Sequence, residues 1–149
     1  MIDVDVLEAA LAVFRAEDPT AVAKYTEGFC ADFAEALHRV LGPESAVVSV
    51  RGVIELPVFR GIEDLFTDAN YKSHLAWLHD AVAYGGYVFD IQGKTTEEQA
   101  LKFWASQTGA KAVRWGTGPG EEITTWPKTV DDLASTIQDY ITLVEETNE

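Results

Sequence analysis

Apolar residues recur every three or four positions in the first third of the chain, and this spacing predicts amphipathic helices. Helices are expected over residues 3–15, 20–25 and 31–41. Gly42 and Pro43 follow the third of these segments and are typical residues for the end of a helix. The chain therefore begins with a group of helices, and Cys30 falls in the first turn of the third.

Helical periodicity returns in the second half of the chain. A helix is expected over residues 95–107, because Thr95 and Glu98 have the spacing of a capping box. The last helix begins near Thr129 and runs towards the end of the chain. Its predicted buried face consists of five apolar residues at helical spacing: Val130, Leu133, Ile137, Ile141 and Val144.

Short runs of β-branched and aromatic residues lie between these helical regions and predict strands. Strands are expected over residues 46–50, 53–59, 74–78 and 87–91. Pro57 has no N–H to donate, so the second strand is predicted at a sheet edge. These elements, with no internal repeat and no linker, predict one α+β domain over residues 1–149.

Residues 114–126 contain three glycines and a proline and predict a loop, with room for one short strand. The glycine-rich part, Gly116 to Gly120, lacks the Lys and the Ser or Thr of a phosphate-binding loop. It also lacks the spacing of a dinucleotide-binding fingerprint. The sequence therefore assigns this loop no nucleotide.

The charge of the chain is strongly negative, with 25 acidic and 11 basic residues and a net charge of −14. Such a field disfavours direct binding of nucleic acid, because that binding depends on Lys and Arg at the phosphates. It could attract a basic protein partner or mimic a polyanion. The simpler interpretation, which we prefer, is that the charge keeps the protein soluble. The chain shows no apolar run of membrane-spanning length and no basic start of a secretion signal, so a cytoplasmic protein is expected.

Cys30 is the only cysteine and the first candidate for chemistry. A thiol attacks carbon as the thiolate, which a helix N-terminus and a neighbouring imidazole both stabilise. Gly28 leaves room for a substrate backbone, and the N–H groups at the helix start can hold an oxyanion. The competing interpretation is a small buried apolar residue that shares a helix face with Phe33 and Ala34.

Which histidine acts as the general base for Cys30 depends on the register of a predicted hairpin, and the sequence does not determine that register. If Leu78 pairs with Gly86, then His74 lies opposite Asp90, and the carboxylate can orient the imidazole. A tight turn at the two adjacent glycines instead places Ala81 opposite Asp90 and moves His74 away. We take the first register as the prediction, because His74 stands at the entrance of its strand.

His79 is the competing base. In a regularly alternating strand it shares a face with Trp77 and points away from the face of His74. His38 lies more than two helical turns beyond Cys30, so it is too distant to act on the thiol. The histidines and Cys30 show no recognised ligand spacing, so neither a metal nor another cofactor is expected.

Three segments of the chain, residues 28–37, 74–77 and 87–93, together resemble the papain-like superfamily of cysteine peptidases and amidases. The resemblance is closest to compact bacterial and phage members and to transglutaminase-like proteins. It implies a helix that begins with the nucleophile and packs on a small antiparallel sheet. It further implies Cys30 as the nucleophile, His74 as the general base and Asp90 as the residue that orients it.

The resulting hypothesis is a cysteine-dependent hydrolase or acyl transferase that acts on an amide or peptide bond of a peptide or protein. No Gln or Asn precedes Cys30 at the position that lines the oxyanion hole in many papain-like enzymes. Two alternatives therefore stay open at this point. One is a non-enzymatic acidic protein, such as an inhibitor that mimics a polyanion, and the other is an inactive papain-like relative.

Overall fold

The computed structural model describes residues 1–58, 70–118 and 125–148. Three helices come first: α1 (Val4–Glu17), α2 (Ala21–Glu27) and α3 (Cys30–Leu41). The carboxylate of Asp3 accepts hydrogen bonds from two backbone N–H groups of the first turn of α1 and caps that helix. A short 3-10 helix, Gly42–Glu44, then leads into the sheet. The predicted group of N-terminal helices is present, with α1 and α2 two residues longer at their C-terminal ends than the pattern indicated.

The sheet has five strands in the order β4-β3-β2-β1-β5, and each neighbouring pair is antiparallel. The strands are β1 (Ala46–Val58), β2 (Asn70–Tyr84), β3 (Tyr87–Asp90), β4 (Gly93–Thr95) and β5 (Lys111–Thr117). The fold is thus a mixture of helices and an antiparallel sheet.

The strand predictions need correction at several points. The strand expected over residues 74–78 is the longer β2, and β1, expected at a sheet edge because of Pro57, lies between β2 and β5. The two strands expected over residues 46–50 and 53–59 are one continuous strand, β1, and Phe59 lies outside the described residues. The strand β4 was not predicted, because three residues are too few for an alternating pattern. The short strand for which residues 114–126 left room is the end of β5, which begins earlier, at Lys111, and pairs with β1; Pro119 and Gly120 lie outside the described residues.

Two further helices complete the described fold. Helix α4 (Glu97–Thr108) begins with a capping box formed by Thr96 and Gln99, one residue later than the predicted pair. Helix α5 (Pro127–Thr147) buries the five residues that the periodicity predicted. The principal core joins α1, α3 and α5 to one end of the sheet. Its most buried members include Leu7, Leu11, Phe33, Leu37, Val82, Phe89, Ile91, Ile137 and Ile141.

The β2–β3 hairpin turns at two glycines that both have positive φ, +60° at Gly85 and +84° at Gly86. They differ in their surroundings. A Cβ at Gly85 would lie 2.6 Å from Cγ2 of Val4, whereas one at Gly86 would meet no atom within 4 Å. The turn therefore fixes the hairpin register, and at Gly85 it also packs closely against Val4 at the start of α1.

This difference predicts unequal costs for two single substitutions. We expect Gly86→Ala to lower the free energy of unfolding by about 1 kcal/mol, because a side chain disfavours positive φ. Gly85→Ala adds a collision with Val4 and should cost about 2 kcal/mol more. Urea denaturation of the two variants measures the difference, and equal costs would contradict the contact between the turn and α1.

Candidate active site

Cys30 is the first residue of α3, as the sequence predicted for the first turn of this helix. Phe29 precedes it at the N-cap position and provides no side-chain hydrogen bond to the first turn. Backbone N–H groups at a helix start carry partial positive charge and favour a nearby anion. The Cys30 residue itself is only 4% exposed.

The β2–β3 hairpin has the register of a two-residue turn at Gly85 and Gly86. The prediction that His74 lies opposite Asp90 is therefore wrong. Tyr84 pairs with Tyr87, and Val82 pairs with Phe89. Asp90, the next residue of β3, is therefore opposite Ala81. His74 lies seven residues before Ala81, about 20 Å along the strand. It is exposed on the strand surface.

The imidazole that meets Asp90 belongs to His79. His79 and Asp90 are diagonal neighbours on one face of the β2–β3 pair, a position from which side chains can touch. Nε2 of His79 lies 2.9 Å from Oδ2 of Asp90. The other carboxylate oxygen accepts a hydrogen bond from the backbone N–H of Gln92, at 2.8 Å. One oxygen of the Asp90 carboxylate is thus fixed by the backbone of Gln92, and the other is hydrogen-bonded to the imidazole of His79.

A bulge in β2 overturns the predicted orientation of His79. Val50 pairs with His79 and the next residue, Arg51, pairs with Trp77, so Leu78 is an extra residue in β2. The extra residue puts His79 and Trp77 on opposite faces of the sheet.

A hydrogen bond supports this orientation independently. Nε1 of Trp77 donates to Oδ1 of Asp80 at 2.7 Å, although residues three apart in a regular strand point to opposite faces. The same holds for β1, in which Nε of Arg51 donates a hydrogen bond to the hydroxyl oxygen of Ser49. Arg51 pairs with Trp77, and Ser49 pairs with Asp80. His79 therefore points away from these four side chains and towards Asp90.

The ring of His79 is almost completely enclosed, with 1% of the residue exposed. The indole of Trp104, from α4, stacks on it with ring centroids 4.2 Å apart and an angle of 22° between the planes. The packed indole limits rotation of the imidazole and excludes water from one of its faces. Trp104 was not predicted as part of a site, because its place over His79 depends on how α4 packs.

Charge interactions determine the protonation of His79. Burial lowers the pKa of the imidazole, but hydrogen bonds and charge interactions with Asp90 and Cys30 outweigh it and raise that pKa to about 9. The sequence predicts that a thiol, an imidazole and a carboxylate are in contact. The structure joins His79 to Asp90 by a hydrogen bond, Cys30 is among the groups that raise the pKa of His79, and His74 lies outside this group.

The two ring nitrogens of His79 have different surroundings. Nε2 is hydrogen-bonded to the carboxylate of Asp90. Nδ1 is buried and has no partner at an ordinary hydrogen-bond distance and angle among the described residues. We infer that Nδ1 is the atom that faces the thiol of Cys30.

Two cavities lie near these residues, and neither is lined by Cys30 or His79. One, of about 380 Å³, lies beside Asp90 and Trp104, and Gln99 and Phe103 of α4 also line it. The other, of about 460 Å³, is lined by α2 with its N-cap residue and by Gly28 and Phe29, which immediately precede Cys30. A Cβ at Gly28 would meet no atom within 4 Å, so the backbone before Cys30 is open to approach.

His38 and Trp115 have structural partners. Nδ1 of His38 is 2.6 Å from the hydroxyl oxygen of Ser45, at the end of α3. Nε1 of Trp115 donates to the carbonyl of Glu97 at the start of α4. In the ranges that the structure describes, no three His, Cys, Asp or Glu side chains cluster in a way that could hold a metal ion. No helix in these ranges is both long enough and apolar enough to cross a membrane.

Comparison with known proteins finds no family model that matches the chain and no significant match among curated proteins or solved structures.

Proposed function

We propose that this protein is a cysteine-dependent hydrolase or acyl transferase that acts on an amide or peptide bond, with Cys30, His79 and Asp90 as its triad. The observation that carries the proposal is the place of the His79 imidazole, which is hydrogen-bonded to the Asp90 carboxylate and whose pKa is raised by Asp90 and Cys30 together. These are the three roles that thiol acyl transfer needs: a nucleophile, a base and a group that orients the base.

In this mechanism the proton of the Cys30 thiol already lies on His79 in the resting enzyme, and the sulfur attacks the carbonyl carbon of the substrate as a thiolate. The C–N bond then breaks, and the imidazolium returns the proton to the leaving amine. Water or another nucleophile releases the acyl group from the sulfur. Asp90 stabilises the imidazolium throughout, because its carboxylate is bonded to Nε2. N–H groups at the start of α3 are the candidates for oxyanion stabilisation.

The architecture supports the proposed relationship to papain-like enzymes. A helix that begins with cysteine contacts an antiparallel sheet, and the histidine and aspartate come from adjacent strands of that sheet. Two departures remain. The histidine lies in the interior of a long strand and not at its entrance, and residues 24–27 hold no Gln or Asn. We further propose a peptide or protein substrate and a cytoplasmic, reducing location, in which a free thiol persists.

Acylation of Cys30 tests the proposal directly. The protein is mixed with a panel of activated peptide esters and thioesters, and intact-mass and peptide spectra locate the acyl group. We expect one acyl group on Cys30 in the wild type and none in Cys30→Ala. His79→Gln should slow acylation about 100-fold, in the range usual for loss of a general base, whereas the matched variant His74→Gln should not. Absence of acylation by every ester would favour an inactive papain-like relative.

A further inference from the structure

Two arginines lie directly opposite each other on neighbouring strands. Arg51 of β1 pairs with Arg114 of β5, so both side chains point to the same face of the sheet. Like charges in directly opposed positions destabilise an antiparallel pair. Neither guanidinium has an acidic partner within 4.0 Å among the described residues, although the chain carries 25 acidic residues. Within the part of the chain that the structure describes, the pair is therefore a local concentration of positive charge.

The surroundings hold Arg51 in place. Its Nε donates to the hydroxyl oxygen of Ser49 at 3.2 Å, and Ser49 is fully buried. Gly116 lies opposite Ser49, and a Cβ there would come within 2.8 Å of Nε of Arg51. The absence of a side chain at Gly116 thus provides the space in which the guanidinium lies.

Both arginines line a cavity of about 530 Å³ at the β1–β5 side of the sheet, together with Leu75, Trp115, Gly116 and Thr117. Asp80, on the same face, is buried, accepts a hydrogen bond from Trp77 and does not line this cavity. The bulge at Leu78 puts this face on the other side of the sheet from His79, so the cavity is separate from the triad.

We propose that this cavity binds the phosphate group of a small ligand. Two guanidinium groups supply two positive charges and several N–H donors, which match the charge and the oxygens of a phosphate dianion. A bound phosphate would also relieve the repulsion between the two arginines. The overall charge of −14 favours a small anion over a nucleic acid, whose extended backbone the rest of the surface would repel.

The test is an NMR titration of the full chain with inorganic phosphate at constant ionic strength, with sodium chloride as the reference. We expect saturable shifts centred on the amides of Arg51, Arg114 and Gly116. Arg114→Gln should weaken binding at least about tenfold, while Lys128→Gln, which removes an exposed charge from the start of α5, should not. Gly116→Ala should also weaken binding, because it displaces Arg51 without a change in charge.

Titrations with other anions identify the chemical class of the ligand. Phenyl phosphate that binds more tightly than inorganic phosphate would assign the cavity to a phosphate ester, and equal affinities would assign it to free phosphate. Acetate that binds as tightly as phosphate would overturn the assignment. Shifts no larger than those with chloride, or unchanged affinity in Arg114→Gln, would overturn the site altogether. None of these outcomes depends on the triad.

Discussion

We expect His79→Gln to slow the alkylation of Cys30 by iodoacetamide at pH 7 about tenfold or more, and His74→Gln to leave the rate unchanged. An isolated thiol is only about 3% thiolate at pH 7, so a base that takes its proton raises the reactive fraction by up to about 30-fold. The interaction between Cys30 and His79 gives this role to His79. Glutamine keeps a hydrogen-bond donor for Asp90 but cannot take the proton.

The exposed fraction of Cys30 matters for this experiment. With 4% of the residue exposed, burial slows the reagent in every variant. The informative quantity is therefore the ratio of the rates between variants, measured by mass spectrometry under native conditions. Equal rates in His79→Gln and His74→Gln would remove His79 from the mechanism. A Cys30 that reacts only after denaturation would argue against the enzyme.

Asp90→Ala should lower the free energy of unfolding at pH 7 by about 3 kcal/mol. Removal of one member of a buried ion pair leaves the other charge uncompensated, and such changes typically cost 3–5 kcal/mol. The carboxylate of Asp90 is 14% exposed, which places the expected value at the lower end. Asp90→Asn keeps an oxygen for the N–H of Gln92 and should cost less.

The matched control is Asp131→Ala, on α5. Asp131 forms an ion pair with Arg39, but its side chain is 67% exposed, so the loss should stay below about 1 kcal/mol. Urea denaturation measures both variants against the wild type. Equal small costs would mean that the contact between Asp90 and His79 contributes little to the folded state.

The parts of this structure that depend on local pattern were predictable from sequence. Helix α5 follows from five apolar residues at helical spacing, and the position of Cys30 at a helix start follows from the segment that Gly42 ends. The components of the site were also predictable: a thiol, an imidazole and a carboxylate on adjacent elements.

The identity of the base was not predictable, for two physical reasons. The hairpin register depends on whether Gly85 and Gly86 form the turn, and a shift of register moves every cross-strand pair. The bulge at Leu78 then reverses the face on which His79 lies, and nothing in the local pattern marks it. The tight turn at Gly85 and Gly86 was the sequence signal that pointed away from His74. Trp104 depends on long-range packing of α4 and carried no such signal.

The most direct test of the triad is an NMR titration of the His79 imidazole in the wild type and in Cys30→Ala. We predict that His79 in the wild type is protonated at pH 7 and loses its proton with a pKa of about 9. Removal of the thiol should lower that pKa, because Cys30 is one of the two groups that raise it. A wild-type His79 that titrates at or below the ordinary pKa, with no change in Cys30→Ala, would contradict the account.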